Sequence, residues 1–149
     1  MLLVERLQQQ HPSVAQRIYS VQIAAYAQEA ELISAKHFPP LNTTVDDILQ
    51  SNEHFFGITV KGVLLAVISL CEMNICSLVV APGHQRKGLA TCLLRFAIEQ
   101  SVELTVMTAV KNTPALALYD AFGFAEYQRC FKGSEALELV FLRREADNK

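Results

Sequence analysis

Apolar positions recur along the chain with two periods, and the switches between them mark its elements. From Ser13 to about Leu32 the spacing is helical, carried by Val14, Ile18, Val21, Ala24 and Ala25. Ahead of it, Met1–Leu7 reads as a short first strand. Phe38-Pro39-Pro40-Leu41 cannot continue a helix and is expected to be a loop. Thr44 is a natural N-cap for a short helix from Val45 to Gln50, and Asp46 and Asp47 suit that helix's positive end. Phe55–Val60 and Val63–Leu70 then read as strands about a tight turn at Lys61-Gly62, and Ile75–Val80 as a third strand.

A Pro82-Gly83 break and a basic loop, His84 to Ala90, lead into a helical pattern that runs through Gln100. Leu89, Leu93, Phe96 and Ala97 share one face of it, with Thr91, Arg95 and Glu99 on the polar stripe. Leu104–Ala109 is another β-type run. Thr113-Pro114 opens the next helix as N-cap and first-turn proline, and Gly123 is the residue past its end. Alternation at Phe124–Phe131 and Leu137–Leu142 predicts two closing strands that turn near Gly133-Ser134. The order predicts an α/β (α+β) fold: a mixed sheet, antiparallel in its first half, with helices on both faces. The strands at Ile75 and Leu104 should be parallel neighbours, joined by a right-handed crossover helix. No repeat or shift in composition marks a second domain, so residues 1–149 read as one.

Composition narrows the function. Hydrophobic residues make up 51% of the 149 and charged residues 19%, which suits a compact protein. A formal net charge of −2 argues against a general affinity for nucleic acid. No apolar stretch reaches the ~20 residues that cross a bilayer, and Met1 to Arg6 lacks the features of a secretion signal. The cysteines at 71, 76, 92 and 130 form no Cys-x-x-Cys pair, and no His stands at zinc-ligand spacing. Reduced thiols, a cytoplasmic setting and no metal are therefore expected.

The strand, basic loop and helix start at Ile75–Gln100 carry the chemistry. Unpaired N–H groups of a first helical turn form an anion site, and Arg86 and Lys87 add full charge to it. A phosphate-bearing small molecule is the expected ligand. Gly83 and Gly88 have the five-residue step of a nucleotide-binding P-loop, but Leu89-Ala90 replace its Lys and Ser/Thr, so hydrolysis has no machinery. Gly-x-Gly-x-x-Gly is also missing, which leaves a dinucleotide fold unsupported. What remains is Gln85-Arg86-Lys87-Gly88-Leu89-Ala90, of the form Gln/Arg-x-x-Gly-x-Gly/Ala.

That motif, after the strand Leu78-Val79-Val80, resembles the acetyl-CoA motif of the GCN5-related N-acetyltransferase (GNAT) superfamily. The resemblance continues through Asn112 to Phe124, which is similar to the family's Asn-x-x-Ala-x-x-x-Tyr…Gly-Phe segment. It implies a mixed, mostly antiparallel sheet of about six or seven strands, with a splayed parallel pair and about four helices. It further implies that Leu78, Val79 and Val80 pair with the pantetheine arm of acetyl-CoA. Gln85, Arg86, Lys87, Gly88, Leu89 and Ala90 would line its pyrophosphate, and Asn112 would hydrogen-bond the arm.

Acetyl transfer to an amine needs a neutral amine, a donor to the oxyanion and a proton for the departing thiolate. The resemblance gives the last role to Tyr119, whose phenol (pKa ~10) can serve a thiol of pKa ~8.5 if the two are held together. Otherwise Tyr119 is an interior aromatic. Relatives often carry a strand Glu as base; here that position is Asn74, and Glu72, two residues earlier, is the candidate. Glu29 and Glu31 read as solvated helix carboxylates or as part of an acceptor wall. Phe38 to Leu41 reads either as a rigid rim of that wall or as a packed connector. Cys76 has no partner to activate it and reads as a core thiol. The reading is an acetyl-CoA-dependent N-acetyltransferase acting on a primary amine in a ternary complex. The alternative is an inactive acyl-CoA-binding regulator. Exposed strand edges leave room for a homodimer.

Overall fold

Residues 2–145, described by a computed structural model, form the elements in the order that the periodicity predicts. They are β1 (Glu5–Leu7), α1 (Pro12–Leu32), α2 (Val45–Leu49), β2 (His54–Val60), β3 (Val63–Cys71), β4 (Asn74–Val80), α3 (Leu89–Gln100), β5 (Leu104–Ala109), α4 (Thr113–Ala121), β6 (Ala125–Lys132) and β7 (Leu137–Arg144). The expected strand at Met1–Leu7 forms only from Glu5, and Met1 itself lies outside the described residues. Thr44 and Asp47 exchange side-chain and backbone hydrogen bonds (3.1 and 2.9 Å) as a capping box on α2.

Two local expectations are corrected. Phe38 to Leu41 is not an irregular loop: Pro39–Asn42 is one turn of 3-10 helix. Prolines at its start have their φ preset and lose no hydrogen bond there. The cap of α4 is Asn112, whose side chain accepts the Ala115 N–H at 3.3 Å, while Thr113 is already helical. Both residue types cap well, so only the register decides between them.

The sheet has seven strands in the order β1-β2-β3-β4-β5-β7-β6, antiparallel except for β4 beside β5. β3, third in that order, is buried on both faces from Leu64 to Leu70. Against one face, Leu89, Leu93, Leu94 and Ala97 of α3 and Tyr119 of α4 pack with Ile58, Ile68 and Leu104. Against the other, Ala15, Ile18, Val21 and Ala25 of α1 and Ile48 of α2 pack with Phe55, Val67 and Val79. α1 and α2 thus form one layer, and α3 and α4 the other. Among the described residues, no helix is long and apolar enough to cross a membrane.

β4 carries the irregularity that matters. Opposite it, Ser69 pairs with Ser77 and Leu70 with Ile75, so Cys76 is an extra residue, a β-bulge. The bulge shifts the alternation by one place. Ile75, Leu78 and Val80 face α3 and α4, and Val79 faces α1. Pairing with β5 covers only Asn74↔Thr105 and Ile75↔Val106, whereas β5 stays paired with β7 as far as Ala109↔Leu139. Past Ile75 the parallel strands part. The edge of β4 from Cys76 to Val80 has no strand beside it.

Gly57 tests how tightly this sheet meets its β1 side. A Cβ there would stand 2.7 Å from Leu64 Cδ1, 2.9 Å from Leu7 Cδ1 and 3.0 Å from the Ala66 carbonyl oxygen. Gly57→Ala should therefore destabilise by about 1–3 kcal/mol, read as a fall in Tm of about 2–4 °C per kcal/mol. An unchanged Tm in thermal unfolding would mean that the two leucines move aside freely.

Candidate active site at the parted strands

The loop after β4 is shaped by its own backbone. The Ala81 N–H donates to Leu65 O at 2.8 Å and the His84 N–H to Ala81 O at 3.0 Å. Gly83, Arg86 and Gly88 all have positive φ, +87°, +65° and +80°. Arg86 holds this conformation without glycine's freedom, a local strain of the kind that gathers at binding loops. Gly88 is the N-cap of α3, and no atom lies within 4 Å of where its Cβ would stand. The space in front of the helix start is open, and the first-turn N–H groups have no helical partner. Arg86 and Lys87 are exposed beside it, with Lys87 Nζ 3.4 Å from His84 Nδ1. Gln85 serves this loop differently from what the motif implies. Its side-chain oxygen accepts the Gly83 N–H at 3.1 Å, and its amide donates to Val80 O at 3.3 Å and to Gln28 on α1 at 2.7 Å. It ties the loop to β4 and α1.

At the parted strands, side chains from both helical layers meet. Asn112 caps α4 with its oxygen, and its side chain is near enough to Glu29 of α1 to act on that carboxyl. Glu29 is half-buried, and burial lifts its carboxyl above the usual range, with the Asn112 side chain partly offsetting this. Tyr119 is buried, its ring centroid 5.2 Å from that of Phe124. Burial, and then the charge of Glu29, push its phenol well above the ordinary value.

A second polar group borders the gap on the α1 side. Gln22 donates to Ser77 Oγ at 3.2 Å, and Ser69 and Ser77 hydroxyls lie 2.7 Å apart. Tyr26 is pushed up to about 12 by burial, with the Ser77 hydroxyl offsetting this and Glu29, Glu53 and Cys76 adding to it. Its ring meets Phe38 edge-on at 6.2 Å, so Phe38 does border this region. Desolvation and then Glu53 push the Cys76 thiol up to about 11, which keeps it protonated and poorly nucleophilic.

The structure separates the remaining candidates. Leu78, Val79 and Val80 lie on the unpaired stretch of β4, and Gln85 to Ala90 lie at its end. Glu72 does not join them. It sits exposed in the turn between β3 and β4 at φ +56°, and the Asn74 and Ile75 pairs lie between it and the gap. The strand that would have carried it ends at Cys71. Asn74 accepts the Thr105 hydroxyl at 2.9 Å, bracing the last parallel pairs. Glu31 is exposed. Glu29, read from sequence mainly as a solvated carboxylate, is the side chain that was misjudged. Its signal was the stripe Gln22, Tyr26, Glu29, Ile33 at helical spacing, a polar run on a buried face.

Comparison with known proteins agrees with this geometry. Residues 16–124 match the family described as Acetyltransferase (GNAT) family. Over 146 residues the chain is 40% identical to the UPF0157 protein YqkA of Bacillus subtilis (strain 168), a match that takes in 93% of this chain and 43% of that protein. The chain thus spans less than half the length of the curated relative it matches. Among solved structures, the ribosomal-protein-S18-alanine N-acetyltransferase of Escherichia coli superposes with a TM-score of 0.76 at 19% identity, covering 100% of this chain and 96% of that one. A putative acetyltransferase of Salmonella typhimurium, yncA, solved with acetyl-CoA, gives 0.74 at 15% identity over the same shares, 100% and 96%. The IAA acetyltransferase of Bacillus cereus ATCC 14579 gives 0.70 at 20%, covering 97% and 99%. These three likenesses are of fold.

Asn112 and Thr113 can be told apart by unfolding. Asn112→Ala removes the cap and should cost about 1 kcal/mol, a fall in Tm of about 2–4 °C. Thr113→Ala should change stability by less than about 0.5 kcal/mol. The reverse order would place the cap at Thr113.

Proposed function

The chain belongs to the acetyltransferase (GNAT) family, and on that footing we propose that it moves the acetyl group of acetyl-CoA directly to a primary amine. The observation that carries the proposal is the gap itself. One wall is the unpaired edge of β4, one end is an open anion-binding loop at a helix start, and Asn112 and Tyr119 stand at its side. A long molecule with a polyanionic head and a thin amide-bearing arm suits each part. The first-turn N–H groups of α3, with Arg86 and Lys87, hold the pyrophosphate. The edge of β4 at Leu78, Val79 and Val80 pairs with the amides of the arm as a strand would. Asn112 stands beside that arm.

Acetyl-CoA supplies an activated acyl group on a thiol leaving group, and the residues of this chain do the rest. A backbone N–H of the β4 edge near Val80 donates to the carbonyl oxygen as it gains charge. Tyr119, held protonated, donates to the sulfur as the carbon–sulfur bond breaks. Cys76 takes no acyl group, since its thiol stays protonated. A reduced, cytoplasmic setting belongs to the same proposal. A binder without catalysis drew its support from the lack of a carboxylate at Asn74. Turnover of any amine separates that reading from the one proposed.

An amine panel assayed for CoA release, with acetyl-CoA titration alongside, tests the reading. Wild type should bind acetyl-CoA and turn over at least one primary amine. Tyr119→Phe should keep binding and lose about 10²-fold or more in kcat. Gly88→Glu should weaken acetyl-CoA binding at least about tenfold, since it sets a negative side chain in the anion cradle. No binding by wild type overturns the proposal, and unchanged turnover by Tyr119→Phe removes the acid role.

A further inference from the structure

The bulge at Cys76 is not required by the apolar residues that follow it. A β4 running straight on from Cys71↔Asn74 and Leu70↔Ile75 would set Cys76 opposite Ser69 and Ser77 opposite Ile68. Every later side chain would then change face. Leu78, Val79 and Val80 are all apolar, and each face of the sheet has an apolar layer packed on it, so these three suit either register. The bulge also takes a residue out of the ladder. Apolar packing leaves the straight register open to β4, and something else must hold the bulged one.

Ser77 tells the two registers apart. In the bulged register it lies opposite Ser69 on the α1 side. There the two hydroxyls are 2.7 Å apart, and the Gln22 amide of α1 donates to Ser77 Oγ at 3.2 Å. Ser69 is fully buried and Gln22 is 5% exposed. In the straight register Ser77 would enter the apolar cluster that Ile68 shares with Leu93 and Leu94 of α3. Ser69 would face the Cys76 thiol, a weak partner, and Gln22 would lose its acceptor. Polar groups out of water are costly without good hydrogen bonds. The polar ladder therefore selects the register that the apolar residues leave undecided.

That choice also decides whether the sheet opens. Pairing of β4 with β5 stops at Ile75↔Val106, and Ile75 is the residue before the bulge. β5 itself runs on to Ala109, so a straight β4 has a strand to pair with.

We propose that Ser69, Ser77 and Gln22 are positioning residues whose hydrogen bonds hold β4 in its bulged register, and so keep its edge free for the arm of acetyl-CoA. What uses the edge rests on the acetyl-transfer reading; the lock is a property of the free protein. The three residues act through the strand. A molecule whose β4 has slipped to the straight register has no edge to offer, so the apparent affinity for the donor falls with the fraction still open. Bound acetyl-CoA draws the strand back to the open register, and the chemistry then proceeds as before. Loss of the lock raises KM for acetyl-CoA and leaves kcat in place.

Threonine and valine have the same shape and differ by one hydroxyl, so Ser77→Thr and Ser77→Val isolate the hydrogen bond. Gln22→Met removes the donor from the α1 side and leaves β4 untouched. Amide exchange of the ligand-free chains reads the register, and steady-state kinetics at varied acetyl-CoA reads its use. Ser77→Val should slow the edge amides between Cys76 and Val80 about tenfold and raise KM for acetyl-CoA about tenfold, as an open fraction of about one in ten requires. Its kcat should stay within about threefold of wild type. Gln22→Met should move both readings the same way by about threefold, and Ser77→Thr should restore both to wild type. Should Ser77→Val fail to fold, Gln22→Met decides by the same readings. Edge amides that exchange as in wild type in both variants overturn the proposal. So does Ser77→Thr behaving as Ser77→Val, which makes shape the cause, or a fall in kcat at unchanged KM, which puts Ser77 in the chemistry. Slowed edge exchange in the variants of a chain that binds no acetyl-CoA supports the lock and overturns the acetyl-transfer reading alone.

Discussion

Everything at the site follows from two strand pairs and the lack of a third. β4 and β5 are joined at Asn74↔Thr105 and Ile75↔Val106, and the bulge at Cys76 turns β4 away. A parallel sheet interior normally pairs every backbone group, because an unpaired one out of water costs about 1–3 kcal/mol. Here the opening is kept by the surroundings rather than by the strands. β3 holds one side of β4 through Ala66↔Val80, and β7 holds the far side of β5 through Ala109↔Leu139. Each strand is secured on its outer side, so their inner edges stay apart and available.

The site is also held together across its layers. Arg86 and Lys87 stand with the first-turn N–H groups of α3, and Gln85 of the same loop bonds both to the end of β4 and to Gln28 of α1. Further back along α1, Gln22 bonds Ser77 beside the bulge. The loop, the strand edge and α1 are thereby fixed in one orientation, which is what a long ligand laid along the strand would need.

How far the sequence was legible depends on the range of the interaction. α3 with Leu89, Leu93 and Ala97, the Lys61-Gly62 turn and the Thr44 cap depend on neighbours a few residues away, and their patterns are plain. The parallel pair was foreseen from its crossover helix, and its early parting from the family resemblance alone. What misled was orientation across layers. Glu29 looks solvated in its own helix because the groups that bury it in part, and so lift its carboxyl, lie far along the chain, where no periodicity of α1 describes them. Glu72 reads as available only if β3–β4 pairing extends to it; a two-residue turn, with Glu72 itself at positive φ, removes it. Gln85 belongs to a binding motif, yet its hydrogen bonds run inward to the protein.

The central claim is that the unpaired edge of β4 receives the arm of acetyl-CoA. Amide hydrogen exchange with and without saturating acetyl-CoA reads that edge directly. The account predicts slowed exchange in two places, the edge amides between Cys76 and Val80 and the first turn of α3 from Leu89, with β2 and β6 unchanged. Protection confined to the α3 turn, with β4 exchanging as before, would leave the phosphates bound and the gap unused, and would contradict it.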